Sequence, residues 1–169
     1  MFQKIKTALI SVSDKSDLPR ILKTLKKFKI RIISSGGTYR AIKKQGFDCT
    51  EISKYTGFDE MLDGRVKTLH PKIHAGILHD RSNKRHENEM NKKKFPSIDL
   101  IIVNFYPFQK IVTNSKNNKK IIENIDIGGP TMVRSAAKNF KNVLIVTNKN
   151  DYSQLINEVE KYKGKTSLK

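Results

Sequence analysis

Apolar residues along this chain fall into short continuous runs, separated by stretches in which they recur every three or four positions. The run TALISVS at 7–13 is followed by Leu18, Ile21, Leu22, Leu25 and Phe28, spaced helically across 16–28. This pattern predicts a buried strand and then an amphipathic helix. Pro19 suits the first turn of that helix, and Lys23, Lys26 and Lys27 suit its C-terminal end, where the dipole favours cations. IRIIS at 30–34 predicts a second strand, 38–45 a short helix stopped by Gly46, and 48–52 a weaker third strand. The polar, lysine-rich stretch 82–94 predicts a solvated helix or loop. DLIIVNF at 99–105 is an unbroken apolar run of the kind buried on both faces of a sheet. Gly129 and Pro130 open a helix with an expected apolar stripe at Val133, Ala136, Ala137 and Phe140. That stripe turns Thr131, Arg134, Ser135 and Lys138 away from the core. NVLIVT at 142–147 predicts another buried strand. Tyr152, Leu155, Ile156 and Val159 predict a last helix running to Gly164, beyond which the residues read as a cut end. Strands alternating with helices imply a mostly parallel sheet covered on both sides, a three-layer α/β/α domain.

Composition narrows this picture. A chain of 169 residues, 37% of them hydrophobic, can bury a core without disulfides or metal. No apolar run approaches the 18 residues of a membrane span, and the N-terminus has no signal-peptide cleavage pattern. The single Cys49 excludes an internal disulfide and fits a reducing compartment. The net charge of +18 raises nucleic acid as a partner. All but seven of the 34 basic residues are lysine, however, and they are scattered through nearly every segment. That distribution describes a lysine-biased surface better than a nucleic-acid interface. Neither nucleic acid nor membrane is expected as a partner.

The polar residues that follow the apolar runs carry the chemistry. The first run leads into SVSDKS at 11–16, the second into SSGGT at 34–38, and the long run at 99–105 into NFYPF at 104–108. In an open parallel sheet the loops leaving the carboxyl ends of the strands share one edge, where ligands bind. In SSGGT two glycines allow a tight turn into a helix whose first N–H groups are unpaired, which makes an anion site. Ser35 and Thr38 can add hydroxyl donors there, and Lys15 can add charge, although a plain strand-to-helix turn would use the same residues.

The segment 63–78, DGRVKTLHPKIHAGIL, is the most chemically loaded and shows no helical or strand period, so it reads as a loop. His70 and His74 are four apart, as zinc ligands on a helix would be. Pro71 lies between them and no Cys or acidic residue supports a metal, so structural histidines fit better. His79 and His86 lie in polar sequence and are expected to be solvated. Further on, Asp126 and Lys138 frame DIGGPTMVRSAAK, which reads either as an exposed polar helix face or as a carboxylate placed at the shared edge.

Taken together and in order, SVSDKS, SSGGT, GFDEMLDGRVKTLHPKIHAGIL, VNFYPF and ENIDIGGPTMVRSAAKN closely resemble a family of inosine-monophosphate cyclohydrolase domains. These domains form the N-terminal part of bifunctional purine-biosynthesis proteins, and the match runs through essentially the whole chain. The resemblance implies a methylglyoxal-synthase-like α/β/α fold, a site without metal or cofactor, a homodimer and a cytoplasmic location. It implies that residues 1–169 form the cyclohydrolase domain, with the transformylase domain and its activity outside this chain. The reaction it implies converts 5-formamidoimidazole-4-carboxamide ribonucleotide to inosine monophosphate. Carried over by position, Lys67 and Tyr106 resemble donors near the reacting oxygen, Asp126 the carboxylate that guides the nucleophile's proton, and Lys138 a second catalytic lysine. Ser11, Ser13, Lys15, Ser35, Gly37, Thr38, Arg65 and Thr68, with Asn104 and Gly128, match positions that hold the nucleotide. One departure is Asp17, a carboxylate where the family often has glycine. Two other readings stay open. A phosphate-binding regulatory or lyase domain of the same fold would not need the set Lys67, Tyr106 and Asp126. A basic nucleic-acid-binding module rests on charge alone.

Overall fold

The computed structural model describes residues 2–167. Five parallel strands form the central sheet: β2 (Thr7–Val12), β3 (Arg31–Ser34), β4 (Thr50–Glu51), β5 (Leu100–Asn104) and β6 (Leu144–Val146), in the order β4-β3-β2-β5-β6. Side chains alternate across each strand, as the pleat requires. Ala8, Ile10 and Val12 of β2, Ile32 of β3, and Leu100 and Ile102 of β5 face one side. Leu9, Ile33, Ile101 and Val103 face the other. Helices α1 (Leu18–Lys27), α2 (Gly36–Lys44) and α9 (Tyr152–Lys161) cover the first face through Leu22, Ile42 and Leu155. Helices α3 (Ile52–Thr56), α4 (Pro71–Leu78) and α8 (Gly128–Lys138) cover the second through Tyr55, Ile77 and Met132. The sheet is thus sandwiched between two helical layers, as the strand and helix periods imply. No helix among the described residues is long and apolar enough to cross a membrane.

Three expectations are corrected. Residues 71–78 form the helix α4. Pro71 occupies its first turn, and His70 caps it by accepting Lys72 N–H on Nδ1 at 3.1 Å. Ile73, Gly76 and Ile77 are its buried positions, a short apolar period that the surrounding charges obscure. In α8 the buried residues are Gly129, Met132, Ser135 and Ala136, while Phe140 beyond its end is 65% exposed. Small residues let this helix approach α4 closely, so the seam is narrower and rotated from the stripe expected on hydrophobicity alone. His79 is buried, with Nδ1 near Ala75 O and Nε2 near Ser97 Oγ. Residues Lys165–Ser167 are ordered as β7, paired antiparallel with β1 (Phe2–Lys4). The polar stretch at 82–94 is α5 (Lys84–Lys93), which buries only Met90.

One buried carboxylate holds the start of the sheet. Asp99 is 3% exposed and accepts the backbone N–H groups of Lys6 and Thr7 at 2.7 and 2.8 Å. Arg81 pairs with it at 2.9 Å. Removing the carboxylate strands a largely buried guanidinium and two backbone donors together. Asp99→Ala is therefore expected to lower the unfolding free energy by about 3–5 kcal/mol in chemical denaturation. A loss below about 1 kcal/mol would be that of a surface pair.

Candidate functional site

The strand order places a switch point between β2 and β5. The chain leaves β2 toward β3 on one side, whereas β5 is followed by β6 on the other. Loops diverging from adjacent strands leave a crevice at the carboxyl edge of the sheet. Val12 and Asn104 pair as the last residues of β2 and β5, so the two loops start at one level.

A cleft of about 490 Å³ occupies this crevice. The end of β2 and the loop after it are fastened to β5 and to α2. Asn104 Oδ1 accepts the N–H groups of Ser13 and Asp14 at 2.6 and 3.0 Å, and Asn104 Nδ2 donates to Asp14 O at 3.0 Å. Thr38 Oγ1 donates to Val12 O and accepts from Val12 N–H, at 3.0 and 3.1 Å. Its one hydroxyl hydrogen is thereby engaged, and Thr38 serves the site as a latch on the loop.

Beside this loop α2 begins at the two glycines. Gly36 has φ +52°, a left-handed conformation that an L side chain rarely adopts. A Cβ there would lie 3.5 Å from Lys67 Nζ, and one at Gly37 would lie 3.9 Å from Lys15 Nζ. Two ammonium groups therefore flank the first turn of α2, where its N–H groups point outward. Ser35 is buried at the N-cap and its side chain makes no capping bond. Backbone donors, two cations and a serine thus meet here, the chemistry that an anion would need.

The opposite wall comes from residues 63–68 and the start of α8. Thr68 is buried, and a Cβ on Gly128 would fall 2.2 Å from Thr68 Oγ1. Asp126 accepts Gly129 N–H on Oδ1 at 2.9 Å, which fixes the carboxylate at the helix N-terminus. Arg65 forms a two-pronged pair with Glu123, at the end of α7 (Asn118–Glu123), and this pair holds the Glu123 carboxyl below its usual range. Both side chains are exposed, so a ligand anion can compete for the guanidinium. Glu123→Gln is expected to tighten inorganic-phosphate binding at low salt by roughly twofold to fivefold in calorimetry. Weaker binding would mean that Glu123 helps to hold the ligand.

The structure gathers Ser11, Ser13, Lys15, Ser35, Gly37, Thr38, Arg65, Lys67, Thr68, Asn104, Tyr106, Asp126 and Gly128 around one cleft. Tyr106 stands on its rim, half exposed. Lys138 is not brought in: it lies at the exposed far end of α8, roughly 15 Å along the axis from Gly128. The histidines at 70 and 74 are engaged elsewhere, with Lys72 N–H and Ser135 respectively. Asp63, Glu123, Ile125, Ile127 and Met132 also line the cleft. The sequence reading missed Glu123 and Ile125 because no period or motif chemistry marks residues 109–125, which contain most of α6 (Phe108–Asn114) and all of α7 and bury nothing. The one available signal for Glu123 was an acidic residue among lysines close to Asp126.

Fold and cleft together define an open α/β domain with a cation-lined crevice at its switch point. The chain belongs to the MGS-like domain family, which it matches over residues 17–131. It is 49% identical over 157 residues to the bifunctional purine biosynthesis protein PurH of Clostridium acetobutylicum. It is 53% identical over 152 residues to the protein of that name from Oceanobacillus iheyensis. These alignments take in 93% and 89% of this chain but 32% and 30% of the relatives, so it spans about a third of their length. The crystal structure of ForH superimposes with a TM-score of 0.80 at 30% identity, over 94% of this chain and 80% of that one.

Proposed function

We propose that this chain is an inosine-monophosphate cyclohydrolase that carries out the closing step of de novo purine biosynthesis. The observation that carries this reading is the convergence of Lys67, Tyr106 and Asp126 with the cationic turn of α2 on one cleft. The names of the relatives support the pathway. A regulatory anion site would need the turn alone.

In this reading the nucleotide's phosphate lies at the start of α2 beside Lys15, within reach of Ser11, Ser13 and Ser35. Arg65, Thr68, Asn104 and Gly128 shape the channel toward the base. The carboxamide nitrogen attacks the formyl carbon, and a C–N bond forms as the formyl C=O opens. The attacking nitrogen gives up one proton to Asp126, and the formamido nitrogen loses the other. Both leave with the formyl oxygen as water when the C–O bond breaks. A carboxamide is a weak nucleophile, so positioning must supply much of the acceleration, roughly 7–11 kcal/mol in favourable intramolecular cases. Lys67 and Tyr106 donate to the oxygen as it gains charge, each contribution roughly 3–4 kcal/mol. A homodimer, proposed on the resemblance, would cover the exposed apolar side chains of Phe105, Phe108, Ile125 and Ile127 near the rim.

The test is to incubate the purified chain with the formamido ribonucleotide and follow the purine absorbance. Conversion above the uncatalysed rate is expected. No acceleration overturns the proposal, and formation of methylglyoxal from dihydroxyacetone phosphate in its place points to a lyase of the same fold.

A further inference from the structure

Residues 61–66 close a tight turn that leads into Lys67. Met61 N–H donates to Val66 O at 3.0 Å, and Val66 N–H donates to Met61 O at 3.2 Å, an antiparallel bridge. The next residues outward from such a pair oppose each other with their side chains on one face, so this register sets Glu60 against Lys67. Between them the backbone is left-handed at Leu62, Asp63 and Gly64, with φ of +54°, +54° and +85°. A turn of that kind persists only where the contacts around it impose it. Gly64 stands between the two charges, since a Cβ there would lie 3.3 Å from Lys67 Nζ and 3.4 Å from Glu60 Oε2. The same ammonium also reaches the first turn of α2, where a Cβ at Gly36 would lie 3.5 Å from it. Glu60 makes no hydrogen bond or ion pair among the described residues, and Arg65 on the same turn is already held by Glu123.

An ammonium in this place is attracted from two sides once a nucleotide binds. The phosphate at the start of α2 draws it toward Gly36, and Glu60 draws it toward Gly64. A second lysine given over to the phosphate would hold substrate, transition state and product alike, which does not speed the chemistry, and the reacting oxygen would lose a donor. Resting on the ring closure proposed above, we infer that Glu60 is a positioning residue that acts through Lys67. Its carboxylate offsets the pull of the phosphate and keeps the ammonium available to the reacting oxygen. Glu60 is exposed, so its hold is that of a surface charge, modest and weakened by salt.

The test compares the wild-type chain with Glu60→Gln, Glu60→Asp, Lys67→Met and the Glu60→Gln/Lys67→Met double variant. Turnover and KM for ring closure, affinity for inorganic phosphate by calorimetry, and Tm are measured for each at low and at high salt. Glu60→Gln is expected to lose about threefold to tenfold in kcat at low salt while phosphate binds about twofold to fivefold more tightly, a split in opposite directions. Glu60→Asp, which keeps the charge, recovers most of that loss. High salt shrinks both effects. In the Lys67→Met background the Glu60→Gln change alters neither quantity, because the residue through which it acts is gone. The inference is overturned if Glu60→Gln turns over at the wild-type rate at low salt, or binds phosphate more weakly. It is overturned equally if the change persists in the Lys67→Met background, which would mark a direct effect of the Glu60 charge on the ligand. A Glu60→Gln chain that does not fold, or that loses turnover and Tm together, marks a mere prop for the turn and overturns it too. A wild-type chain that does not close the ring overturns the proposed function and this role with it. An active wild type with an equally active Glu60→Gln overturns this role alone.

Discussion

Lys67→Met is expected to leave a folded protein whose ring-closing turnover is 10²- to 10³-fold lower, the order of loss for removing one donor to a developing oxyanion. The ammonium lies beside the glycine turns at Gly36 and Gly64, where a Cβ would approach it to 3.5 and 3.3 Å. The glycines thus leave room for a cation that reaches the start of α2 from the loop at 63–68. Methionine keeps most of the side chain's length and removes only the charge and its hydrogens. Fold should survive, because Lys67 makes no ion pair among the described residues and Thr68 beside it is held by its own burial. Parallel measurement of inosine-monophosphate affinity separates two parts of the role. A fall in kcat with a smaller change in affinity marks a donor to the reacting oxygen. An equal fall in both marks a phosphate contact only. Wild-type turnover in the variant would remove Lys67 from the mechanism.

Gly128→Ala is expected to be the most damaging single-methyl change in the site. The added carbon would fall 2.2 Å from Thr68 Oγ1, well inside contact distance. Thr68 is 5% exposed, so its hydroxyl has little room to turn away, and the first turn of α8 must move instead. Asp126 moves with it through its bond to Gly129 N–H. A displacement of about 1 Å between reacting groups can cost about 100-fold in rate. Turnover should fall by that order, with a drop in Tm from the overpacked wall. Thr68→Ser does not relieve the clash, whereas Thr68→Ala in the same chain does, and is expected to restore Tm. A single Gly128→Ala variant with native turnover would show that this contact does not set the geometry.

Most of the sheet could be read from the sequence because its strands obey one physical rule. Leu100, Ile101, Ile102 and Val103 are all buried, and a run of that kind has no exposed face to interrupt it. The turn into α2 was legible for a different reason, since glycine adopts a left-handed φ such as that of Gly36 more readily than other residues and the pair stands just after a strand. Two features were not legible. The helix α4 is short and buries Gly76, where an added Cβ would meet Pro96 O at 2.9 Å, so its buried face is marked partly by the absence of a side chain. The apolar stripe of α8 was misplaced by the same effect, because Gly129, Ser135 and Ala136 are buried for their size and not for their hydrophobicity. Within the site, the residues that touch the cleft through motif chemistry were found. Asn104 and Thr38 line the cleft as expected, but their bonds to the loop after β2 depend on the register of two strands, which no single segment encodes.

The β1–β7 ribbon brings the two ends of the described chain side by side, with Gln3 opposite Thr166. It lies by the start of β2, whereas the crevice opens at the other end of that strand, roughly 20 Å away. Anything joined beyond either end of the described residues would therefore start from the rear of the molecule, away from the mouth of the crevice.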